Sequence, residues 1–363
     1  MKPIRLAVVD DSSFVRKAIE RMLRDEEQVE VVGTAISGEE LLANFEAWEP
    51  DVITLDLSMP GIGGLVTLDR VMAIRPTPVI ILSTHAGRGA PQTIEALHRG
   101  AADFIDKQRY SLLDFSALRE VLVERILAVS GQPATARQAS RAEEEPPAAE
   151  VPRVGRELPG VRLADVSVTD LVVIGASTGG PPAIERLLVD LGAGCPVPIT
   201  VVQHMPVGFT RAFADRLNSH LPMEVHEIGD RDTLRPGCVF IAPAGHHLHV
   251  QRDGERLIGT LSLEPKHLTH RPSVDELFLS AGRLLGARVC GVLLTGMGRD
   301  GAEGLKALAD AGAYTVAQSE ASCVVFGMPG AAVNLNAVRE LLPLEEIGPR
   351  VRELLVRTRR AAG

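Results

Sequence analysis

A serine in a glycine-rich turn, Ser177, has the sequence surroundings of a nucleophile. It stands in Gly175-Ala176-Ser177-Thr178-Gly179, which fits the pattern G-x-S-x-G, directly after the apolar run Leu171–Ile174 that predicts a buried strand. Small neighbours let the backbone turn sharply from strand to helix and expose the hydroxyl above the sheet. Taken alone, the same turn could equally cap a helix or cradle a phosphate group.

A histidine and an aspartate follow two other predicted strands of the same region. The strands Pro198–Val202 and Val289–Leu294 are followed by His204 and by Asp300. If these strands lie parallel in one sheet, their carboxyl ends converge, and Ser177, His204 and Asp300 meet there. These are the residue types of an acyl-transfer triad, in which the serine attacks, the histidine carries its proton and the aspartate orients the imidazole.

The glycine-flanked segment around Met297 offers backbone N–H groups to a developing oxyanion. Each member of the triad has an ordinary alternative, since His204 could be a core histidine and Asp300 could cap the helix that begins near Gly301. The order serine, histidine, aspartate also differs from that of the α/β-hydrolases, so the serine motif does not by itself define that fold.

Residues 1–129 contain five strand–helix repeats, which predict a flavodoxin-like (βα)5 domain with a parallel sheet covered on both faces. The predicted strands are Ile4–Val9, Val29–Ala35, Val52–Leu55, Val79–Leu82 and Asp103–Ile105. Ligands of such sheets bind beyond the carboxyl ends of the strands. The polar residues at those ends are Asp10, Asp11, Asp56, Ser83 and Lys107.

Three carboxylates at one sheet edge repel each other unless a cation lies among them, and a hard cation such as Mg²⁺ prefers oxygen ligands of this kind. Asp56 could then accept a phosphoryl group, with Lys107 and Ser83 placed to bind its oxygens. The ordinary alternatives are that Asp11 or Ser12 caps the first helix and that Lys107 pairs with any of the acids.

On these residues, 1–129 resembles a response-regulator receiver domain. The resemblance implies that a histidine kinase phosphorylates Asp56, and that Phe104 takes the position of the family's switch aromatic. The family usually has a proline after the lysine, whereas this chain has Gln108, and because a cis bond there would cost about 3 kcal/mol we expect a trans peptide. The motif residues are Asp10-Asp11, Asp56 before Leu57-Ser58-Met59-Pro60-Gly61, Ser83 and Lys107.

Residues 130–164 are rich in proline, alanine, glutamate and arginine and have almost no periodic apolar residues. Such a segment cannot bury enough apolar surface to fold alone, so it predicts a flexible linker. Residues 165–358 again alternate strands and helices, which predicts a second, doubly wound α/β domain that carries the catalytic residues.

The composition of the 363 residues excludes several classes of protein. A net charge of −9 without a basic cluster argues against nucleic-acid binding. The four scattered cysteines indicate neither a zinc site nor a disulfide framework. Because Asp10-Asp11 interrupts the apolar N-terminal run, we expect no signal peptide and no membrane insertion. We therefore expect a cytoplasmic protein, and a monomer by default.

Two other polar motifs have simpler interpretations than chemistry. Gly245-His246-His247-Leu248-His249 looks like a metal motif, but on a strand His246 would oppose the other two histidines, and no companion acid or cysteine completes a zinc site. In His270-Arg271-Pro272-Ser273-Val274-Asp275, the proline and the following helical pattern favour Ser273 or Asp275 at a helix N-terminus. Arg271 could still contact an acidic substrate.

About residues 168–358 resemble the catalytic domain of the chemotaxis protein-glutamate methylesterases, the CheB family. One departure is Ala244, where that family commonly has the glycine of an Ala-Pro-Gly turn. The matching blocks are Ile174–Gly180, Gln203-His204-Met205-Pro206, Ile241-Ala242-Pro243, His270–Asp275, Leu294–Gly301 and Ala317–Ser322.

The resemblance implies hydrolysis of glutamyl methyl esters on chemoreceptor cytoplasmic helices with release of methanol, and often deamidation of receptor glutamines. It assigns the nucleophile to Ser177, the base to His204, the orienting acid to Asp300 and oxyanion support to the Met297 backbone. No cofactor is implied for this domain. We expect an esterase that phosphorylation activates, with the unphosphorylated receiver domain restricting access to Ser177.

Two rival classes remain open on the residues alone. A non-enzymatic module could bind nucleotide in the Gly175–Gly180 loop, although the lysine and serine or threonine of a Walker motif are missing. A DNA-binding regulator is the second rival, but the C-terminal region lacks a basic helix-turn-helix.

Overall fold

The computed structural model describes residues 2–83, 90–107, 115–131 and 169–361. These residues fall into two compact units, one on each side of the segment 132–168. The predicted linker, 130–164, lies outside the described residues except for its first two, and Gln108 lies outside them as well. Among the helices of the described ranges, none combines the length and the apolar character that a membrane crossing requires.

The first unit is a five-stranded parallel sheet in the order β2-β1-β3-β4-β5, which confirms the predicted (βα)5 fold. β3 and β4 each run one residue further than predicted, so that Asp56 and Ser83 are the last residues of their strands. The elements are β1 Ile4–Val9, α1 Ser13–Leu23, β2 Val29–Ala35, α2 Gly38–Trp48, β3 Val52–Asp56, α3 Gly63–Ile74, β4 Val79–Ser83, α4 Ala90–His98, β5 Asp103–Asp106 and α5 Phe115–Val129.

The second unit contains a seven-stranded parallel sheet and a three-stranded antiparallel sheet. Its strands are β6 Leu171–Ala176, β7 Ile199–Gln203, β8 Glu224–Glu227, β9 Arg231–Thr233, β10 Cys238–Ile241, β11 His247–Asp253, β12 Arg256–Ser262, β13 Val289–Leu293, β14 Tyr314–Gln318 and β15 Glu340–Leu342. Its helices are α6 Gly180–Leu191, α7 Thr210–His220, α8 Val274–Leu285, α9 Ala302–Asp310, α10 Met328–Asn334 and α11 Leu344–Ala361, with 3₁₀ turns at Gly286–Arg288 and Glu320–Ser322.

The strand order β15-β14-β13-β6-β7-β10-β8 confirms a doubly wound domain. β6 is the central strand, and the chain adds β7 on one side of it and later β13 on the other. Where the winding reverses in this way, a crevice opens at the carboxyl ends of the strands. The antiparallel sheet of β9, β11 and β12 was not predicted from the sequence beyond a turn and strand near His247.

Two glycines take the left-handed conformation that the turns of the second unit require. Gly179 has φ +75° at the start of α6, so that the chain reverses directly after Ser177. In the turn before β11, Gly245 has φ +93°, while Ala244 keeps a negative φ. The alanine that replaces the family's glycine therefore introduces no backbone strain.

Candidate active site

The carboxyl ends of three neighbouring strands bring the predicted triad together. Ser177 follows β6, His204 follows β7, and Asp300 lies in the loop after β13. In the β6–β7 register Ala176 lies opposite Gln203, and the next amide along, that of His204, donates to the carbonyl of Ala176 at 3.0 Å. Ser177 and His204 are therefore held on adjacent strands of the same sheet edge.

His204 contacts Asp300 through Nε2, at 2.7 Å from Oδ2. Because an ionised carboxylate only accepts hydrogen bonds, Nε2 carries the proton in the neutral ring and Nδ1 keeps the lone pair. Nδ1 is buried and has no hydrogen-bond partner in the described part of the chain. The ring also stacks on His270, with ring centroids 4.1 Å apart, which restricts its rotation.

Asp300 accepts three further hydrogen bonds, all from the beginning of α8. The Ser273 hydroxyl and the Asp275 amide donate to Oδ1 at 2.8 and 3.0 Å, and the Val274 amide donates to Oδ2 at 2.7 Å. Burial alone would raise the pKa of Asp300, but the hydrogen bond and charge of His204 and these amides hold it below its usual range. Asp300 does not cap α9, since the residue at that helix start is Gly301.

The Ser177 backbone is fixed on both sides of the residue. Its amide donates to the Thr295 carbonyl at 3.0 Å, and its carbonyl accepts from the Gly180 amide at 2.8 Å. Among the described residues, the structure does not bring the Ser177 hydroxyl into a hydrogen bond with His204 or with any other group. One rotation about χ1 re-aims a serine hydroxyl, and such contacts commonly tighten only when substrate binds.

The Met297 segment lies against the serine. A Cβ atom placed on Gly296 would come within 2.8 Å of the Ser177 Cβ, so the backbone leading to Met297 packs directly on the candidate nucleophile. Within the described residues the Met297 amide makes no hydrogen bond, which leaves it available to an oxyanion. Gly296 itself is held by bonds from its amide to the Val325 carbonyl at 3.0 Å and from the Met328 amide to its carbonyl at 2.9 Å.

Several residues that support this site were not identified from the sequence. Thr295 donates to the Thr178 carbonyl at 3.0 Å, and its hydroxyl also accepts from the Val325 amide at 3.0 Å. Ser273 does cap α8, as predicted for this segment, but its bond to Asp300 has no local sequence signal. Asp275 was likewise placed only at the helix start.

Asp275 lies beside Asp300, and its pKa is shifted in the opposite direction. Burial, together with the negative charge of Asp300, raises the pKa of Asp275 to about 7. One of its oxygens accepts from the Gly304 amide at 2.6 Å. Asp300 therefore stays ionised, whereas the neighbouring Asp275 carries a proton below neutral pH.

The histidines near β11 are bonded to protein groups. His247 accepts from the Ser273 amide through Nδ1 at 3.2 Å, and its Nε2 lies 3.2 Å from the Pro265 carbonyl. His249 pairs with Glu276 at 3.1 Å. His247 thereby supports the start of α8, directly behind Asp300. The suggested contact of Arg271 with an acidic substrate stays a prediction.

In the first unit, the predicted acidic site is a compact cluster. Oxygen atoms of Asp10, Asp11 and Asp56 lie within 4.8 Å of one another, and this is the only such group of three found among the described residues. Lys107 bridges the two buried members, at 2.8 Å from Asp10 and 2.9 Å from Asp56. Burial raises the pKa of Asp10, although Lys107 opposes that shift. A set of carboxylate oxygens at this spacing fits Mg²⁺.

The remaining predicted residues of this unit lie at the same sheet edge or behind it. Ser83 is buried at the end of β4, where its hydroxyl oxygen accepts from Thr93 at 3.1 Å. Phe104 is buried in β5. Ser12, one of the ordinary alternatives, does cap α1, and Lys107 does pair with two acids, so both features coexist with the cluster.

The fold of the first unit is that of a response-regulator receiver domain, and comparison with known proteins agrees. The family model of the response regulator receiver domain matches residues 6–114, and that of the CheB methylesterase matches residues 172–351. The crystal structure of the CheB methylesterase catalytic domain of Thermotoga maritima is 36% identical with a TM-score of 0.50, covering 52% of this chain and 100% of that chain.

Two relatives are similar over nearly the whole length. The protein-glutamate methylesterase/protein-glutamine glutaminase of Halalkalibacterium halodurans is 41% identical over 345 residues, which is 95% of this chain and 96% of the relative. The Bacillus subtilis protein of the same name is 41% identical over 349 residues, with the same coverage of 95% and 96%. The chain therefore belongs to the CheB methylesterase family.

Proposed function

We propose that this protein hydrolyses methyl esters of glutamate side chains on chemoreceptor cytoplasmic helices, releases methanol, and deamidates receptor glutamines by the same route. The observation that carries the proposal is the state of His204. Its Nε2 is bonded to Asp300 at 2.7 Å, while its buried Nδ1 stays unpartnered among the described residues, on the strand next to Ser177. That is the arrangement of a general base prepared to accept one proton.

Ser177 Oγ attacks the ester carbonyl carbon while its proton moves to His204 Nδ1. The carbonyl oxygen becomes an oxyanion, which the free amide of Met297 stabilises. The C–O bond to the methoxy group then breaks, and the proton passes from Nδ1 to the leaving oxygen, so that methanol departs. Water repeats the sequence on the acyl-serine, which yields glutamate and free Ser177. With a glutamine substrate the leaving group is ammonia.

Asp300 keeps the imidazole in one orientation and stabilises its charged form. Because Nε2 faces the carboxylate, Nδ1 is the proton-accepting atom, which is the reverse of the usual assignment of the two nitrogens in a serine triad. The three donors from α8 hold the carboxylate itself in place.

The receiver unit supplies the control. Asp56 accepts a phosphoryl group from a histidine kinase, and Lys107 and Ser83 bind the phosphoryl oxygens. Mg²⁺, held by Asp10, Asp11 and Asp56, would neutralise charge on those oxygens when bound. The unphosphorylated receiver unit restricts access to Ser177, and phosphorylation of Asp56 relieves that restriction. Phe104 takes part in this change of the receiver unit. We propose the boundaries 1–129, 130–164 and 165–358 for the two domains and the linker, and a cytoplasmic monomer that binds no nucleic acid.

The proposal is tested by methanol release from methylated receptor membranes. Wild type, Ser177→Ala and Asp56→Asn are compared with and without Mg²⁺ and a small phosphodonor. We expect the rate for Ser177→Ala to fall by about 10⁴-fold or more, and Asp56→Asn to keep basal activity but lose its response to the phosphodonor. A Ser177→Ala enzyme that still releases methanol would refute the triad. An Asp56→Asn enzyme that still responds would refute the switch.

A further inference from the structure

Gln203 is a buried polar residue that the mechanism above does not use. It is the last residue of β7 and is only 2% exposed. Its side-chain nitrogen donates to the carbonyl of Ser177 at 2.8 Å and to the carbonyl of His204 at 3.1 Å. One amide group therefore bonds the main chains of the candidate nucleophile and the candidate base at the same time.

The orientation of this amide follows from its neighbours. Both contacts are to carbonyl oxygens, which only accept, so the nitrogen must face them. The side-chain oxygen of Gln203 is buried and has no hydrogen-bond partner in the described part of the chain. The two donated bonds are thus the polar contacts that this side chain makes, and both end on the catalytic residues.

The turn after Ser177 is shaped to admit this side chain. A Cβ atom on Gly180 would come within 1.9 Å of the Gln203 side-chain oxygen. Gly180 does not have a positive φ, so its backbone conformation is open to alanine. A larger residue at this position would instead fill the space that the Gln203 side chain occupies. The absence of a side chain at Gly180 therefore leaves room for the Gln203 amide.

We propose that Gln203 is a positioning residue for the hydrolysis: its amide holds the main chains of Ser177 and His204 at one separation and orientation, so that the serine hydroxyl reaches Nδ1. The inference rests on the proposed function, because it needs Ser177 as nucleophile and His204 as base. Main-chain contacts of Ser177 with Thr295 and Gly180 fix the serine alone, whereas Gln203 links it to His204.

The first test replaces the amide by a group of similar shape that donates no hydrogen bond. Gln203→Met should lower kcat for methanol release by about 10²-fold, the size of effect that a misplacement of about 1 Å produces, and leave KM within about threefold. Thr315→Val is the matched structural control, because it removes a buried hydroxyl of β14 that accepts from the Arg339 amide, and it should leave kcat unchanged.

A pH profile separates positioning from general damage to the fold. Gln203→Glu has no donor when its carboxylate is ionised and gains one O–H donor when it is protonated. Its kcat relative to wild type should therefore rise as pH falls from about 8 to about 5.5, since burial favours the protonated acid. The same ratio for Gln203→Met should stay flat.

A second variant tests the same contact without altering the amide. Gly180→Ala should lower kcat by displacing Gln203, and it should cost less kcat in a Gln203→Ala background, where the contact with the Ala176 Cβ, 2.8 Å from the added atom, remains but the Gln203 side chain is gone. Additive losses would mean that Gly180 acts independently of Gln203.

The inference is overturned if Gln203→Met keeps kcat within threefold of wild type, or if the ratio for Gln203→Glu does not change with pH. Ser177→Ala separates the two levels of the argument. An inactive Ser177→Ala beside an active Gln203→Met removes only the role of Gln203, whereas an active Ser177→Ala removes the proposed function itself.

Discussion

The two acidic sites of this chain hold their buried carboxylates in different ways. In the first unit, Asp10 and Asp56 share one flexible partner, the ammonium group of Lys107. In the second unit, Asp300 accepts four hydrogen bonds, and two of them come from backbone amides at the start of α8. A lysine carries its charge on a flexible four-carbon chain that can be displaced by another cation, whereas backbone amides at a helix start are fixed.

This difference suits the two kinds of chemistry that we propose for the two sites. A site that receives Mg²⁺ and a phosphoryl group must exchange its charge partners, so a mobile point charge suits it. A triad acid must hold one histidine in one orientation through every turnover, so fixed donors suit it. Asp10 is fully buried and the Asp300 side chain is 12% exposed, yet the pKa of Asp10 is raised and that of Asp300 is lowered, because the donors outweigh burial only at Asp300.

The largest expected effect comes from replacing Lys107, the shared partner of Asp10 and Asp56. Lys107→Met should lower the free energy of unfolding of the first unit by about 3 kcal/mol, because it leaves buried carboxylates uncompensated. Mg²⁺ should restore much of this loss by binding the folded unit. Urea unfolding followed by tryptophan fluorescence measures the effect in the full chain, since Trp48 is its only tryptophan and lies in the first unit.

Arg99 provides the matched control for that experiment. It also bridges two carboxylates, those of Asp69 and Glu95, but its side chain is 38% exposed. Arg99→Met should cost much less stability than Lys107→Met and should not respond to Mg²⁺. Equal losses of unfolding free energy in Lys107→Met and Arg99→Met would mean that the Lys107 contacts stabilise the first unit no more than an exposed ion pair does.

A smaller effect is expected from removing one fixed donor of the second site. Ser273→Ala should lower kcat for methanol release by roughly 10-fold, because one charge-assisted hydrogen bond to Asp300 is lost while two amides and His204 remain. It should also lower the free energy of unfolding by about 1 kcal/mol, since Ser273 caps α8.

A serine cap on another helix separates the loss of stability from the loss of kcat. Ser37 caps α2 in the first unit, where its hydroxyl accepts from the Glu40 amide at 3.3 Å. Ser37→Ala should cost about as much stability as Ser273→Ala but leave basal kcat unchanged. If Ser273→Ala loses stability without losing kcat, the remaining donors position Asp300 without it.

The two sites also differ in how far their residues could be predicted from the sequence. The strand pattern alone predicts which residues share a sheet edge when they end or follow apolar runs. It places Asp56 with Lys107 in the first unit and Ser177 with His204 in the second. The partners of Asp300 do not follow such a rule, because Ser273 lies 27 positions away and reaches it only through tertiary packing of α8. The same holds for Gln203, whose strand is predictable but whose side-chain contacts depend on register.

The orientation of the His204 ring could not be predicted from the sequence either. The triad residues predict a contact between His204 and Asp300, but which ring nitrogen faces the carboxylate depends on the path of the loop after β7. The small antiparallel sheet of β9, β11 and β12 escaped prediction because its strands are short or alternate weakly.

The smallest effect concerns the proton on Asp275. Its pKa of about 7 in the folded chain lies above the value near 4 of an unfolded aspartate, so the folded state binds the proton more tightly. The free energy of unfolding should then fall as pH rises from about 4 to about 7 and level off above that. Asp275→Asn keeps the shape of the protonated acid and lacks this titration.

The stability of Asp275→Asn relative to wild type should therefore increase across the same pH interval. Above about pH 7 the variant should be more stable by on the order of 1 kcal/mol, a value reduced for the screening of a partly exposed carboxyl. Thermal unfolding of the second unit at several pH values measures it, with Asp253→Asn as control because that carboxyl is exposed and pairs with Arg231. A difference that does not vary with pH would mean that Asp275 stays ionised, and that the fixed donors around Asp300 tolerate two adjacent negative charges.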